Sequence, residues 1–183
     1  MTWLSIEEIS KIGFGKFGTN VLIDVDARFI GAKYIHLDND IRIDSDVLIT
    51  AGPNLVKISS GVHIAHGSKL LGTAGIEVGK GAGISSNCSI FSASDNYSSG
   101  HLANPMADSN ARNITSKKVT LGEYSLLGST SVVLPGVNIG FGASVGALTL
   151  VHRNVPSGIV VSGNPMRKVG NRDLAVLNNL VRD

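Results

Sequence analysis

An excess of charge of either sign is nearly missing from this chain: 16 lysines and arginines against 14 aspartates and glutamates leave a formal net charge of +2 over 183 residues. Without a basic run, or aromatic residues interleaved with basic ones, the sequence excludes the footprint of a nucleic-acid binder. Aromatics are scarce, at 5%, so small and aliphatic side chains must fill the core. The lone cysteine, Cys88, cannot close an internal disulfide and has no cysteine partners for a zinc site. No apolar run approaches a membrane span, and the opening MTWLSIEEIS lacks the basic and apolar segments of a signal peptide. These absences lead us to expect a cytoplasmic protein in a reducing compartment, folded as a single domain.

What the chain does have is glycine, 22 of them, and 43% apolar residues. They recur with a period. Written in sixes from Leu121 the sequence reads LGEYSL, LGSTSV, VLPGVN, IGFGAS, VGALTL, VHRNVP. An aliphatic residue opens every block and a small or β-branched residue takes the fifth place. The phase appears earlier from Leu37 (LDNDIR, IDSDVL, ITAGPN), from Ile58 (ISSGVH, IAHGSK, LLGTAG) and from Val78 (VGKGAG, ISSNCS, IFSASD). This is a hexapeptide repeat. Each block supplies a short strand and a corner, and three blocks close a triangular coil of about 18 residues, so the fold class is an all-β solenoid, a parallel β-helix. Opening and fifth-place residues point inward: Leu37, Ile58, Val78, Leu121 and Ile139 should stack along one inner edge, and Cys88 reads as a small buried filler.

Only the ends read as helices. SIEEISKIG has Ser5 and Glu8 at capping-box spacing with Gly13 after the last turn, and NRDLAVLNNLVRD carries Leu174, Leu177 and Val181 at helical spacing. The expected layout is an N-terminal helix and first coil over residues 1–36, the β-helix over 37–170 with an arm loop at 91–120, and a C-terminal helix over 171–183. The arm lacks the period, contains SDNYSSGHLANPMADSNARN, and projects from the solenoid, which resumes in phase at Leu121.

The coils, the arm, LGSTSVVLPGVNIGFGASVGALTLVHRNVP and the ending VVSGNPMRKVG resemble the hexapeptide-repeat acyltransferases, most of all their galactoside, maltose and xenobiotic acetyltransferase branch. The resemblance implies a left-handed parallel β-helix, a homotrimer with sites at subunit interfaces, acetyl-CoA as co-substrate and no metal. In that branch the general base is an arm histidine five residues after the opening residue of the last block, and counting from Ile90 lands on Asp95. A carboxylate is a weaker base than imidazole by roughly two to three pKa units. The role is therefore expected to pass to VHIAHG, with His66 and His63; this string resembles the HIAHD of the UDP-N-acetylglucosamine acyltransferases, except that Gly67 stands where the orienting aspartate would be. Asp95 itself and His101 in the arm are the alternatives.

For the thioester, the resemblance assigns Ser129 and Ala147 to the pantetheine groove, and His152, Arg153, Arg167 and Lys168 to the phosphates. For a saccharide acceptor, Arg42, Asp44, Asp95, Asn96 and Tyr97 can hydrogen-bond or stack. All of these residues also have the plainer reading of corner and turn residues. The leading expectation is an acetyl-CoA-dependent O-acetyltransferase acting on a sugar hydroxyl in polysaccharide metabolism, by direct base-assisted transfer. N-acetylation of a nucleotide-linked amino sugar is the alternative. A non-catalytic scaffold, or a carbonic anhydrase with zinc on His63, His66 and His101, are the other classes in play.

Overall fold

The computed structural model describes residues 2–180. Its strands form three parallel sheets wound as a left-handed β-helix of about seven turns. The first sheet holds Ile35–Leu37, Val56–Ile58, Ile76–Val78, Val119–Leu121 and Asn138–Ile139. The second runs through Val21–Ile23, Ile41–Ile43, His63–Ile64, Gly83–Ile84, Leu126–Leu127, Ser144–Val145 and Ile159–Ser162, and ends on the antiparallel Arg167–Asn171. The third comprises Arg28–Ile30, Leu48–Ala51, Lys69–Gly72, Ser89–Phe91, Val132–Val133 and Leu150–Val151.

The repeat dictates the core. Leu37 pairs with Ile58, Ile58 with Val78, Val78 with Leu121 and Leu121 with Ile139, which forms the expected inner column. After the arm every fifth-place residue is buried: Ser125, Ser131, Val137, Ala143, Thr149 and Val155. Each buried aliphatic side chain contributes about 1.5–3 kcal/mol, so stacked columns of them can carry a core without large rings.

Before the arm the coils are longer than the period implies. Leu37 to Ile58 is a step of 21 residues and Ile58 to Val78 one of 20, whereas Leu121 to Ile139 is 18. The extra residues sit at the corner between the third and first sheets. There Pro53 is exposed and Ala74 and Ser94 half-buried, although all three hold fifth places, and Val56, Ile76 and Val119 fill the core instead. The phase is lost at that corner and recovered on the next strand.

The arm leaves from the same corner. Ala93–Asp95 pairs antiparallel with Ile114–Ser116, so its base is a two-stranded ribbon. The buried Ser92 fixes the root: its Oγ accepts from the Ala74 N–H at 2.9 Å and donates to the Leu71 carbonyl at 3.0 Å. The N-terminal helix spans Ile6–Ile12, with the capping box of Ser5 and Glu8 and with Gly13 at φ 79°. The C-terminal helix spans Ala175–Leu180. Leu174 precedes it, and Val181 lies outside the described residues. No helix among the described residues is long and apolar enough to cross a membrane.

Candidate active site

The 21-residue step decides what surrounds the two histidines of VHIAHG. It sets His63 beside Arg42 of the preceding coil. The Asp44 carboxylate then lies between them, accepting from Arg42 Nε at 2.7 Å and from His63 Nε2 at 2.9 Å. Asp44 is only 6% exposed. Burial pushes its carboxyl up, but the hydrogen bonds and charges of Arg42 and His63 outweigh that and leave its pKa below the ordinary carboxylate value. Its stabilising contribution is therefore complete above the ordinary carboxylate range and fades as pH falls through the lowered value. Arg42 in turn lies over the Trp3 ring, 5.3 Å from its centroid.

His66 is held from the same coil by weaker means. Its Nδ1 is 3.0 Å from Ser45 Oγ and 3.6 Å from the exposed Asp46 carboxylate. The aspartate that Gly67 displaces is thus replaced in space by groups one coil earlier, a relation that follows from the coil length.

A groove of about 320 Å3 opens beside His63, lined also by Ala65, Gly83, Ser85, Ser86, Leu126 and Ser129. Gly83 lies on the outer face between His63 and Leu126, and its missing side chain makes the floor: a Cβ there would meet Leu126 Cδ1 at 3.2 Å. Along the adjoining corner the residues Ser45, His66, Ser86 and Ser129 stack, each carbonyl accepting from the next coil at 2.9–3.0 Å. Ala147 follows Ser129 in this column. Among the described residues no partner is found for the backbone N–H groups of Ser86, Ser129 and Ala147. Such a file of unpartnered donors suits a chain of amide carbonyls laid along the solenoid.

Asp95, Asn96 and Tyr97 are elsewhere. They line a cavity of about 400 Å3 at the root of the arm with Thr115, Leu134, Pro135 and His152. Asp95 is 3.4 Å from Arg112 Nη2, Asn96 Oδ1 accepts from the Ser98 N–H at 3.1 Å, and Tyr97 is exposed. The expected acceptor residues therefore fall into two sets, Arg42 and Asp44 at the histidine corner and the other three at the next corner, with the third sheet between them. His101 faces its own loop, its Nδ1 2.9 Å from the Ser99 carbonyl. Of the expected phosphate contacts, His152 joins the arm cavity, while Arg153 donates to the Met166 carbonyl at 3.1 Å beside Arg167 and Lys168 on the final antiparallel strand.

Cys88 is fully buried and its Sγ donates to the Gly128 carbonyl at 3.2 Å; burial pushes the thiol pKa up. Among the described residues no three His, Cys, Asp or Glu side chains gather as metal ligands. Gly83, Ser85 and Ser86 are site residues that sequence reasoning passed over; the signal available for them was their place one coil beyond VHIAH.

No family model matches the chain. It is, however, 33% identical over 177 residues to the dTDP-4-amino-4,6-dideoxy-D-glucose acyltransferase of Escherichia coli, covering 97% of this chain and 92% of that one. The chain belongs to the hexapeptide-repeat acyltransferases. Among solved structures, a variant of the N-acyltransferase AntD from Bacillus cereus, in complex with dTDP-4-amino-4,6-dideoxyglucose and coenzyme A, superposes with a TM-score of 0.92 at 32% identity, over 98% of this chain and 97% of that one. AntD in complex with dTDP and 3-hydroxybutyryl-CoA superposes with a TM-score of 0.93 at 31% identity, over 98% and 95%. As a hexapeptide-repeat acyltransferase, the protein draws its acyl group from a coenzyme A thioester.

Proposed function

We propose that this acyltransferase acylates the amino group of a nucleotide-linked deoxy amino sugar. The observation that carries the reading is the near-complete overlap, in sequence and in fold, with acyltransferases whose acceptor is a dTDP-linked 4-amino sugar. It favours the amine over sugar O-acetylation, the leading expectation from sequence. An amine is the easier nucleophile, and an arm that carries Asp95 where a histidine was expected sits better with it.

The thioester lies along the file of free N–H groups, Ser86, Ser129 and Ala147, with its carbonyl over the groove floored by Gly83. His63 stands beside that floor. The amine lone pair attacks the carbonyl, the C–S bond breaks, the nitrogen proton moves to His63, and the imidazole returns it to the departing sulfur, giving amide and free coenzyme A. Copies assemble as a homotrimer in which the arm of one chain, with Asp95, Asn96 and Tyr97, meets the histidine corner of the next. Two features support this: the two sets lie at different corners of one chain, and the outer face of the third sheet between them carries the half-buried Leu48, Leu71, Phe91, Val132 and Leu134 beside Thr50, Lys69 and Ser89.

The test is release of free thiol from acetyl-CoA and 3-hydroxybutyryl-CoA in the presence of dTDP-4-amino-4,6-dideoxyglucose or of a galactoside. Turnover with the amino sugar and none with the galactoside is the expected result. Turnover with the galactoside alone would restore the O-acetyltransferase reading.

A further inference from the structure

We infer that Asp44 is a positioning residue for acyl transfer: it fixes His63, whose ring lines the groove, in the tautomer that carries its proton on Nε2 and so leaves Nδ1 as the ring's proton acceptor. The inference rests on the proposed transfer with His63 as base, but its geometry stands alone. An ionised carboxylate can only accept hydrogen bonds, so at 2.9 Å from Asp44 the His63 Nε2 must carry a proton. A neutral imidazole has one N–H, which leaves Nδ1 with its lone pair.

Asp44 is in turn unable to turn away. It is buried, and its other oxygen accepts from Arg42 Nε at 2.7 Å, with Arg42 laid over Trp3. Among the described residues of one chain the charged and titratable groups that face the ring are few, and the proposed trimer adds Asp95 from the arm of the neighbouring chain. Arg42 and Asp44 come from the preceding coil, and the strand of the following coil offers only Gly83 and Ile84. His66, three residues on, has its Nδ1 turned to Ser45. When Nδ1 takes the amine proton, the imidazolium that forms already faces the Asp44 carboxylate, so the charge that develops during transfer is met by a group held in place beforehand. His66 has no such carboxylate: its acidic neighbour, Asp46, is 3.6 Å away and exposed.

The variant that reads this role is Asp44→Asn. Arg42 keeps the amide oxygen, the amide N–H faces the ring, and His63 must then move its proton to Nδ1, where it blocks the base. Two measurements on the full-length protein decide the matter. Long-range 1H–15N spectra of histidine-labelled protein report the tautomer without any substrate: Nε2–H is expected in the unmodified protein and Nδ1–H in Asp44→Asn. Steady-state kinetics should show kcat reduced about 10²- to 10⁴-fold in the variant, its pH profile altered, and calorimetric affinity for acyl-CoA kept. An Nδ1–H tautomer in the unmodified protein overturns the inference even if the variant fails to fold. So does an Asp44→Asn protein with unchanged kcat and pH profile. If instead the tautomers are as stated and His63→Ala keeps full turnover, the base assignment fails and the role of Asp44 in transfer fails with it, leaving only the hydrogen bond between the two side chains.

Discussion

The coils before the arm and those after it obey the same hexapeptide rule but present different chemistry. Before the arm the steps are 20 and 21 residues, the corner between the third and first sheets is irregular, and ionisable side chains project from the wall: Arg42, Asp44, His63 and His66. After it the step is 18 residues and then 16 at the last turn, and Gly122, Gly128 and Gly140 pack against the main chain of the next coil. Acid–base work needs side chains oriented by neighbours that can be spared from the core. Holding a long, flexible thioester needs repeated N–H groups at fixed spacing. On the proposed mechanism the longer coils serve the first requirement, and the shorter ones, together with Ser86 of the last coil before the arm, the second.

The largest effect that would break this division is at the two histidines. His63→Ala should lower kcat about 10²- to 10⁴-fold and leave acyl-CoA binding intact, because the groove's donors are backbone groups from Ser86 onward. His66→Ala, whose ring leans on exposed partners, should cost less than about tenfold. Steady-state rates beside calorimetric titration with acyl-CoA check both, and a reversal of the two would move the base to His66.

Much of this was legible in the sequence, and one physical quantity explains most of what was not. The period gives the inner columns and the buried fifth places after the arm, and local spacing gives the capping box at Ser5, since each depends on residues that are close in the chain or repeat strictly. Coil length is different. A uniform 18-residue step would set His63 over Ser45, yet the step of 21 sets it over Arg42 and within reach of Asp44. A few inserted residues at a distant corner thereby create the histidine–carboxylate pair. They also take Pro53, Ala74 and Ser94 out of the inward role that the repeat assigns them. The split of the acceptor residues between two corners was hidden for the same reason: hexapeptide phase says which residues face outward and not which corner they share with a partner.

Closeness of the later coils gives the next effect. A Cβ at Gly128 would lie 2.5 Å from the Ala147 nitrogen and 2.7 Å from the Gly146 carbonyl carbon, both backbone atoms that cannot swing aside. Gly128→Ala should therefore destabilise the protein by about 1–3 kcal/mol and weaken acyl-CoA binding, since the segments that must shift carry the N–H groups of Ser129 and Ala147. At Gly83, where the nearest atom is the flexible end of Leu126 at 3.2 Å, alanine should leave the melting temperature nearly unchanged and alter only which acyl groups are accepted. Thermal melts of the two variants, read side by side, show whether tight coil stacking is confined to the thioester half.

The smallest effect concerns two buried serines that the repeat treats as equivalent. Ser131 Oγ donates to the Gly146 carbonyl at 3.0 Å, whereas Ser125 Oγ has no hydrogen-bond partner among the described residues although both hold fifth places in the core. A satisfied buried hydroxyl contributes about 1 kcal/mol, and an unsatisfied one costs about 1–3 kcal/mol in lost hydration. The two alanine substitutions should then differ in sign: Ser131→Ala lowers the free energy of unfolding by about 1 kcal/mol, and Ser125→Ala leaves it unchanged or raises it. Denaturant titrations of both variants check this. Equal losses would mean that fifth-place serines are retained for their volume alone, and that the hydroxyl at Ser131 does nothing to hold the coil that carries Ala147.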